Sequence, residues 1–143
     1  MRTNTPETAT PETPASAPLV PTPAPFVDAA PFVDAAPFVD SAQFATLVEQ
    51  ARGLALVDFT ADACPPCRML APHVDALARE LSGTVVVAKV NVDDQPDLTA
   101  RFGIRGTPTL LFFRDGKVVD RIVGMLPPAQ LRAKVNALRA SGA

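Results

Sequence analysis

Cys64 and Cys67 are the only cysteines among 143 residues, and they stand three apart in the stretch ACPPCRMLAP, with proline at both spacer positions. Two thiols at that spacing could exchange a disulfide with another molecule, supply half of a soft-metal site, or close a structural bond. A bond spanning two residues restricts the unfolded chain little, which weakens the structural reading. The only histidine, His73, lies six residues beyond Cys67 and falls on a different face of a helix that starts at the cysteines. That spacing argues against a Cys-Cys-His metal set. Thiol-disulfide exchange stays open beside metal binding at this point, and it requires one thiol that ionises readily.

The neighbouring elements supply that condition. LALVDF (54–59) reads as a continuous apolar strand interrupted by Asp58. A helix is predicted from near Pro66, with Leu70, Val74, Leu77 and Leu81 on one face, Gly83 as its stop and Pro72 as a kink. Cys64 therefore sits just outside a helix N-terminus, where free N–H groups and the positive end of the dipole favour a thiolate below the ordinary thiol pKa of about 8.5. Cys67, one turn further in, is placed to resolve a mixed disulfide. Pro66 suits the first turn, where no N–H is needed. Pro65, being followed by proline, is pushed out of the helical region and is expected before the helix. Asp58, among Leu56, Val57 and Phe59, is either desolvated with a raised pKa or turned toward solvent.

Further elements flank these. Ser41 can cap a helix carrying Phe44, Leu47, Val48 and Ala51, stopped by Gly53. TVVVAKVNV (84–92) is β-branched enough for a central strand, and QPDLTARFG makes a short helix with Pro96 and Asp97 in its first turn. TLLFFRDGKVVDRIVG is a hairpin turning at Asp115-Gly116, followed by a helix after Pro127 and Pro128 that buries Leu131, Val135 and Leu138. The predicted class is α/β, a central mixed β-sheet flanked by helices.

Composition divides the chain. Residues 1–24 are rich in Pro, Thr and Ala with almost no large side chains, so a disordered tail is expected, extending to residue 36 ahead of a domain over 37–143. The first 40 residues carry a net charge of −4 and the remainder +2, with no basic face to suggest nucleic acid. PFVDAAPFVDAAPFVDSAQF repeats with period six at Pro25, Pro31 and Pro37, too short for a solenoid. It reads as a slipped duplication of an edge-strand segment or, alternatively, as a docking peptide for another protein's sheet edge. Only the third copy leads into a helix signal. No secretory leader and no run of membrane-spanning length is apparent, so a cytoplasmic location and no membrane partner are expected.

VDFTADACPPCRMLAP, AKVNVDDQPDLTARFGIRGTPTLLFF and DGKVVDRIVG, in this order and spacing, resemble the thioredoxin family over roughly residues 37–140. The resemblance implies the thioredoxin fold and a thiol-disulfide oxidoreductase reducing protein disulfides, with Cys64 as nucleophile and Cys67 as resolving thiol. It implies that Asp58 accepts and donates the resolving proton, tuned by Lys89. It places Pro108 in a cis bond facing the cysteines, with Thr107 offering backbone groups to an extended substrate and Gly124 leaving room for it. Pro65 and Pro66 complete the substrate side. No cofactor beyond the Cys64–Cys67 redox disulfide and no metal are implied; the expected partners are disulfide-containing proteins and an NADPH-dependent thioredoxin reductase, the protein itself being a monomer.

The departures are specific. Thr60 and Ala63 stand where the family usually has tryptophan and Pro65 where it has glycine, and the chain has neither tryptophan nor tyrosine. Large flat contacts beside Cys64 are thus missing. Pro65 and Pro66 together remove N–H donors from the thiolate, and a reduction potential near the thioredoxin reference of about −270 mV is expected. Three alternatives stay open on sequence: a more oxidising oxidase or isomerase, a metal-handling C-x-x-C protein, and a non-catalytic binding module.

Overall fold

The computed structural model describes residues 35–141. The expected tail and the first two repeat copies, apart from their last two residues, lie outside them. Four strands, β1 (Leu54–Thr60), β2 (Val86–Asn91), β3 (Thr109–Arg114) and β4 (Lys117–Val123), form one mixed sheet in the order β2-β1-β3-β4. β1 runs parallel to β2 and antiparallel to β3, which pairs antiparallel with β4. The β3–β4 turn has positive φ at both Asp115 and Gly116, as a two-residue hairpin requires. A side chain at Gly116 would also collide with the Glu49 carbonyl oxygen.

Both faces of the sheet are covered, and the alternation along each strand decides what faces what. Leu54 and Leu56 of β1, Val87 of β2 and Leu110 and Phe112 of β3 pack against α2 (Pro65–Glu80) and α4 (Pro128–Ser141) through Leu70, Val74, Leu77, Leu131 and Val135. Ala55, Val57 and Phe59, with Ala88, Val90, Leu111 and Phe113, face the other way, onto Phe44 and Val48 of the first helical segment and Leu98 of α3 (Pro96–Arg101). Phe44, Phe102 and Phe113 meet there with ring centroids 5.4–5.6 Å apart.

The first helical segment differs from expectation. Asp40, not Ser41, is the cap: its carboxylate accepts the Gln43 N–H at 2.8 Å while the Gln43 side chain accepts the Asp40 N–H at 2.9 Å. This reciprocal arrangement satisfies two donors, which a serine one position later does not match. The helix α1 (Ser41–Phe44) then widens into a π-helical turn over Ala45–Glu49. The widened turn slips the register, so Phe44 and Val48 are buried while Leu47 is turned outward.

The third repeat copy docks on the outer edge of β2. Lys89 N–H donates to the Pro37 carbonyl at 2.8 Å and Val39 N–H to the Lys89 carbonyl at 2.9 Å. Ala36 and Val39 are buried, and Ala36 N–H donates to Asp75 Oδ1 at 3.0 Å. The folded region therefore includes Ala36, one residue earlier than the expected boundary.

Candidate active site

α2 begins where β1 ends, and this junction builds the site. Cys64 is the N-cap of α2, with extended backbone, and its Sγ accepts the Cys67 N–H at 3.3 Å. Pro65 and Pro66 occupy the first two helical positions. Pro65 thus belongs to the helix, contrary to the expectation that a following proline would hold it outside. The restriction on a residue before proline is a preference, and the turn closed by the Cys67 N–H on Sγ and the Arg68 N–H on the Cys64 carbonyl, at 3.1 Å, outweighs it. The helix continues through Pro72 to Glu80.

Cys64 and Cys67 are joined in a disulfide, their Cα atoms 5.2 Å apart. Cys64 is the less buried, 7% exposed against 2% for Cys67. The Thr107–Pro108 bond is cis, and it brings Thr107 against the pair. Thr107 Oγ1 donates toward Cys64 Sγ at 3.3 Å, and the Thr107 carbonyl oxygen lies 3.6 Å from the same sulfur. Gly124 N–H donates to the Pro108 carbonyl at 2.8 Å, tying the end of β4 beneath the proline. Gly124 has φ +90° and open space at its Cβ position. Its backbone conformation calls for glycine.

Asp58 continues the inward row Leu54, Leu56 of β1, so alternation aims its carboxyl at α2. It is 1% exposed, and its Oδ1 has no hydrogen-bond partner among the described residues. Burial pushes its pKa up to about 7; the Lys89 charge acts against this rise and the Asp75 charge adds to it. Asp58 and Cys67 line one cavity of about 210 Å³, together with Thr60, Arg68, Lys89 and Phe38. Thr60, at the end of β1, contributes a small side chain to the wall of this cavity.

Lys89 faces Asp58 across the β1–β2 ladder, as a tuning residue must. Its ammonium, however, pairs with Asp75 Oδ1 at 2.8 Å and lies 5.3 Å from the Phe38 ring centroid. The long lysine reaches past the short, deeply buried aspartate to the cavity rim and finds Asp75 there, so no direct pair with Asp58 forms. Its influence on Asp58 is exerted through space.

Sequence reasoning missed Asp75, the Thr107 hydroxyl and Phe38. It also missed the brace under the loop before Cys64, where Arg68 Nη1 donates to the Asp62 carbonyl at 2.7 Å and Asn91 Nδ2 to Asp62 Oδ1 at 3.1 Å. No spacing signal announces these contacts: those to Asp75, Phe38, Thr107 and Asn91 join elements distant in sequence, and Arg68 reaches Asp62 only once the loop before α2 has folded back. Met69 and Met125 are exposed apolar side chains on the sequence stretches next to the cysteines and to Gly124.

The thioredoxin family model matches residues 36–137. A thioredoxin of Porphyra purpurea is 46% identical over 81 residues, covering 57% of this chain and 76% of that protein. Thioredoxin 1 of Synechococcus elongatus is 50% identical over 76 residues, 53% of this chain and 71% of its own length. An M-type chloroplastic thioredoxin of Pisum sativum is 46% identical over 80 residues, 56% of this chain and 46% of that one. A redox pair at the start of a helix opposite a cis-proline, on a mixed sheet within the span that the family model matches, leaves one assignment: the chain belongs to the thioredoxin family and is a thiol-disulfide oxidoreductase that reduces protein disulfides.

Proposed function

We propose that reduction proceeds by two successive exchanges in which Cys64 attacks and Cys67 resolves. In the first, the Cys64 thiolate forms a bond to one substrate sulfur, the substrate S–S bond breaks, and the departing thiolate takes up a proton. In the second, Cys67 loses its proton, attacks Cys64 Sγ and releases the other substrate sulfur, leaving the Cys64–Cys67 disulfide. Asp58 accepts the Cys67 proton. The observation carrying this reading is the pairing of a helix-capping Cys64 with a buried, unpartnered Asp58 that shares the Cys67 cavity. A carboxyl titrating about 7 is matched to proton transfer at neutral pH.

The cysteine pair is itself the electron carrier, so no further cofactor is invoked. Thr107, Pro108 and Gly124, with the spacer prolines, hold an extended substrate strand. The protein works as a cytoplasmic monomer in electron transport and redox homeostasis, where the thiol poise keeps the pair reducible. An NADPH-dependent thioredoxin reductase restores the dithiol.

The test is a trapping experiment coupled to a donor assay. Cys67→Ser accumulates mixed disulfides with insulin or lysate proteins, and Cys64→Ser accumulates few; equal trapping by both would overturn the assignment. Insulin reduction is then followed first with dithiothreitol and next with NADPH and thioredoxin reductase. Turnover with dithiothreitol alone would remove the reductase from the proposal while leaving the chemistry.

A further inference from the structure

A helix N-terminus normally offers several N–H donors to a thiolate at its cap, and here the count can be completed. Pro65 and Pro66 have no N–H, the Arg68 N–H is taken by the Cys64 carbonyl, and only the Cys67 N–H reaches Cys64 Sγ. The helix thus presents one donor to the sulfur. A second comes from another element: Thr107 Oγ1, 3.3 Å from Cys64 Sγ, brought there from 43 residues away by the loop that precedes β3.

We propose that the Thr107 hydroxyl is a catalytic donor to the Cys64 thiolate, replacing the helix N–H groups that Pro65 and Pro66 delete. The inference rests on the reading of Cys64 as the attacking thiol. A disulfide sulfur is a weak acceptor and a thiolate a charged one, so this hydrogen bond strengthens when the pair is reduced. It therefore favours the thiolate over both the thiol and the disulfide. During attack the hydroxyl keeps its proton: Cys64 Sγ bonds to the substrate sulfur, the substrate S–S bond breaks, and the leaving thiolate carries away the electron pair.

The charged groups nearby do not take this part. Asp58, Lys89 and Arg68 line the cavity on the Cys67 side, which does not include Cys64 among its walls. Lys89 is held by Asp75, and Arg68 is turned to the Asp62 carbonyl. The neighbouring Thr107 carbonyl, 3.6 Å from the sulfur, can accept from a Cys64 thiol and so opposes ionisation, which makes the hydroxyl the group that tips the balance.

The experiment compares reduced wild type, Thr107→Val and Thr107→Ser. Valine keeps the β-branched shape and loses the hydroxyl, whereas serine keeps it. The rate of iodoacetamide alkylation is followed against pH, with each cysteine assigned by mass spectrometry, and the glutathione equilibrium is titrated alongside. Expected for Thr107→Val is a fall of about three- to tenfold in Cys64 alkylation below the wild-type midpoint, with the equilibrium moved by a similar factor toward the disulfide. Thr107→Ser restores both. Wild-type behaviour in Thr107→Val, or equal losses in both variants, would overturn the hydroxyl's role and leave Cys64 as nucleophile. Faster alkylation of Cys67 than of Cys64 in wild type would instead overturn the underlying assignment of the attacking thiol.

Discussion

Asp58 is buried at the wall of its cavity, and no donor among the described residues satisfies its Oδ1. Its pKa of about 7, raised by burial, means that the folded protein binds this proton more tightly than the unfolded chain. Stability contributed by the site therefore falls as pH rises from about 4 to about 7, and stays low above that. Asp58→Asn removes the titration. Urea unfolding should show the variant more stable than wild type by on the order of 2–4 kcal/mol at about pH 8, with little difference at about pH 4. A gain of equal size at both pH values would show that the carboxylate charge is not its source. Single-turnover reduction of insulin should rise through about pH 7 in wild type, and that inflection should vanish in the variant. The aspartate was legible in the sequence because a charged residue broke an apolar strand at a position matching the family. Asp75 was not: it is one polar residue on an amphipathic helix, and only the fold brings Lys89 to within 2.8 Å of it.

Elements carried most of their boundaries in the sequence, and the misplacements have local causes. The β3–β4 turn followed from Asp115-Gly116, whose left-handed backbone few other pairs adopt. The α1 register did not follow from periodicity, because a π-helical turn adds a residue and carries Leu47 outward. Pairing of the segment Ala36–Asp40 with β2 was legible only as a strand-like repeat, since identical copies precede it and edge pairing needs a partner that sequence does not name. The structure gives this segment two buried side chains, two backbone hydrogen bonds to Lys89 and the α1 cap. Burying Val39 contributes about 1.5–3 kcal/mol and the Asp40 cap about 1 kcal/mol. A chain starting at Ser41 should therefore melt roughly 10–20 °C below one starting at Ala35. Phe38 and Lys89 also border the Asp58 cavity, so the shorter chain should hydrate the carboxyl and move its kinetic inflection below about pH 7. An unchanged melting temperature between the two would show that the docked copy adds no stability.

At the scale of the molecule, the sheet separates two cores that share a backbone and differ in duty. The layer between the sheet and α2/α4 includes Leu56, Leu70, Leu110 and Phe112 and continues into the Asp58 site. The layer facing α1 and α3 is apolar and aromatic and has no titrating group among its core residues. Leu110 lies directly across from Asp58 in the β1–β3 register, and Leu111 across from Val57. Both leucines are fully buried, so truncation of either to alanine should cost about 2–5 kcal/mol, by lost transfer energy and the cavity left behind. Their effects on chemistry should part company. Leu110→Ala opens space beside the carboxyl, and a water entering there would relieve the desolvation that raises its pKa. The pH inflection of insulin reduction should then shift downward. Leu111→Ala opens space on the far side of the sheet and should leave the inflection near pH 7 while destabilising comparably. Chemical denaturation and the pH–rate profile of the two variants, measured together, separate the outcomes. Equal displacement of the inflection in both would mean that global loosening, not the packing over Asp58, sets the proton affinity of the site.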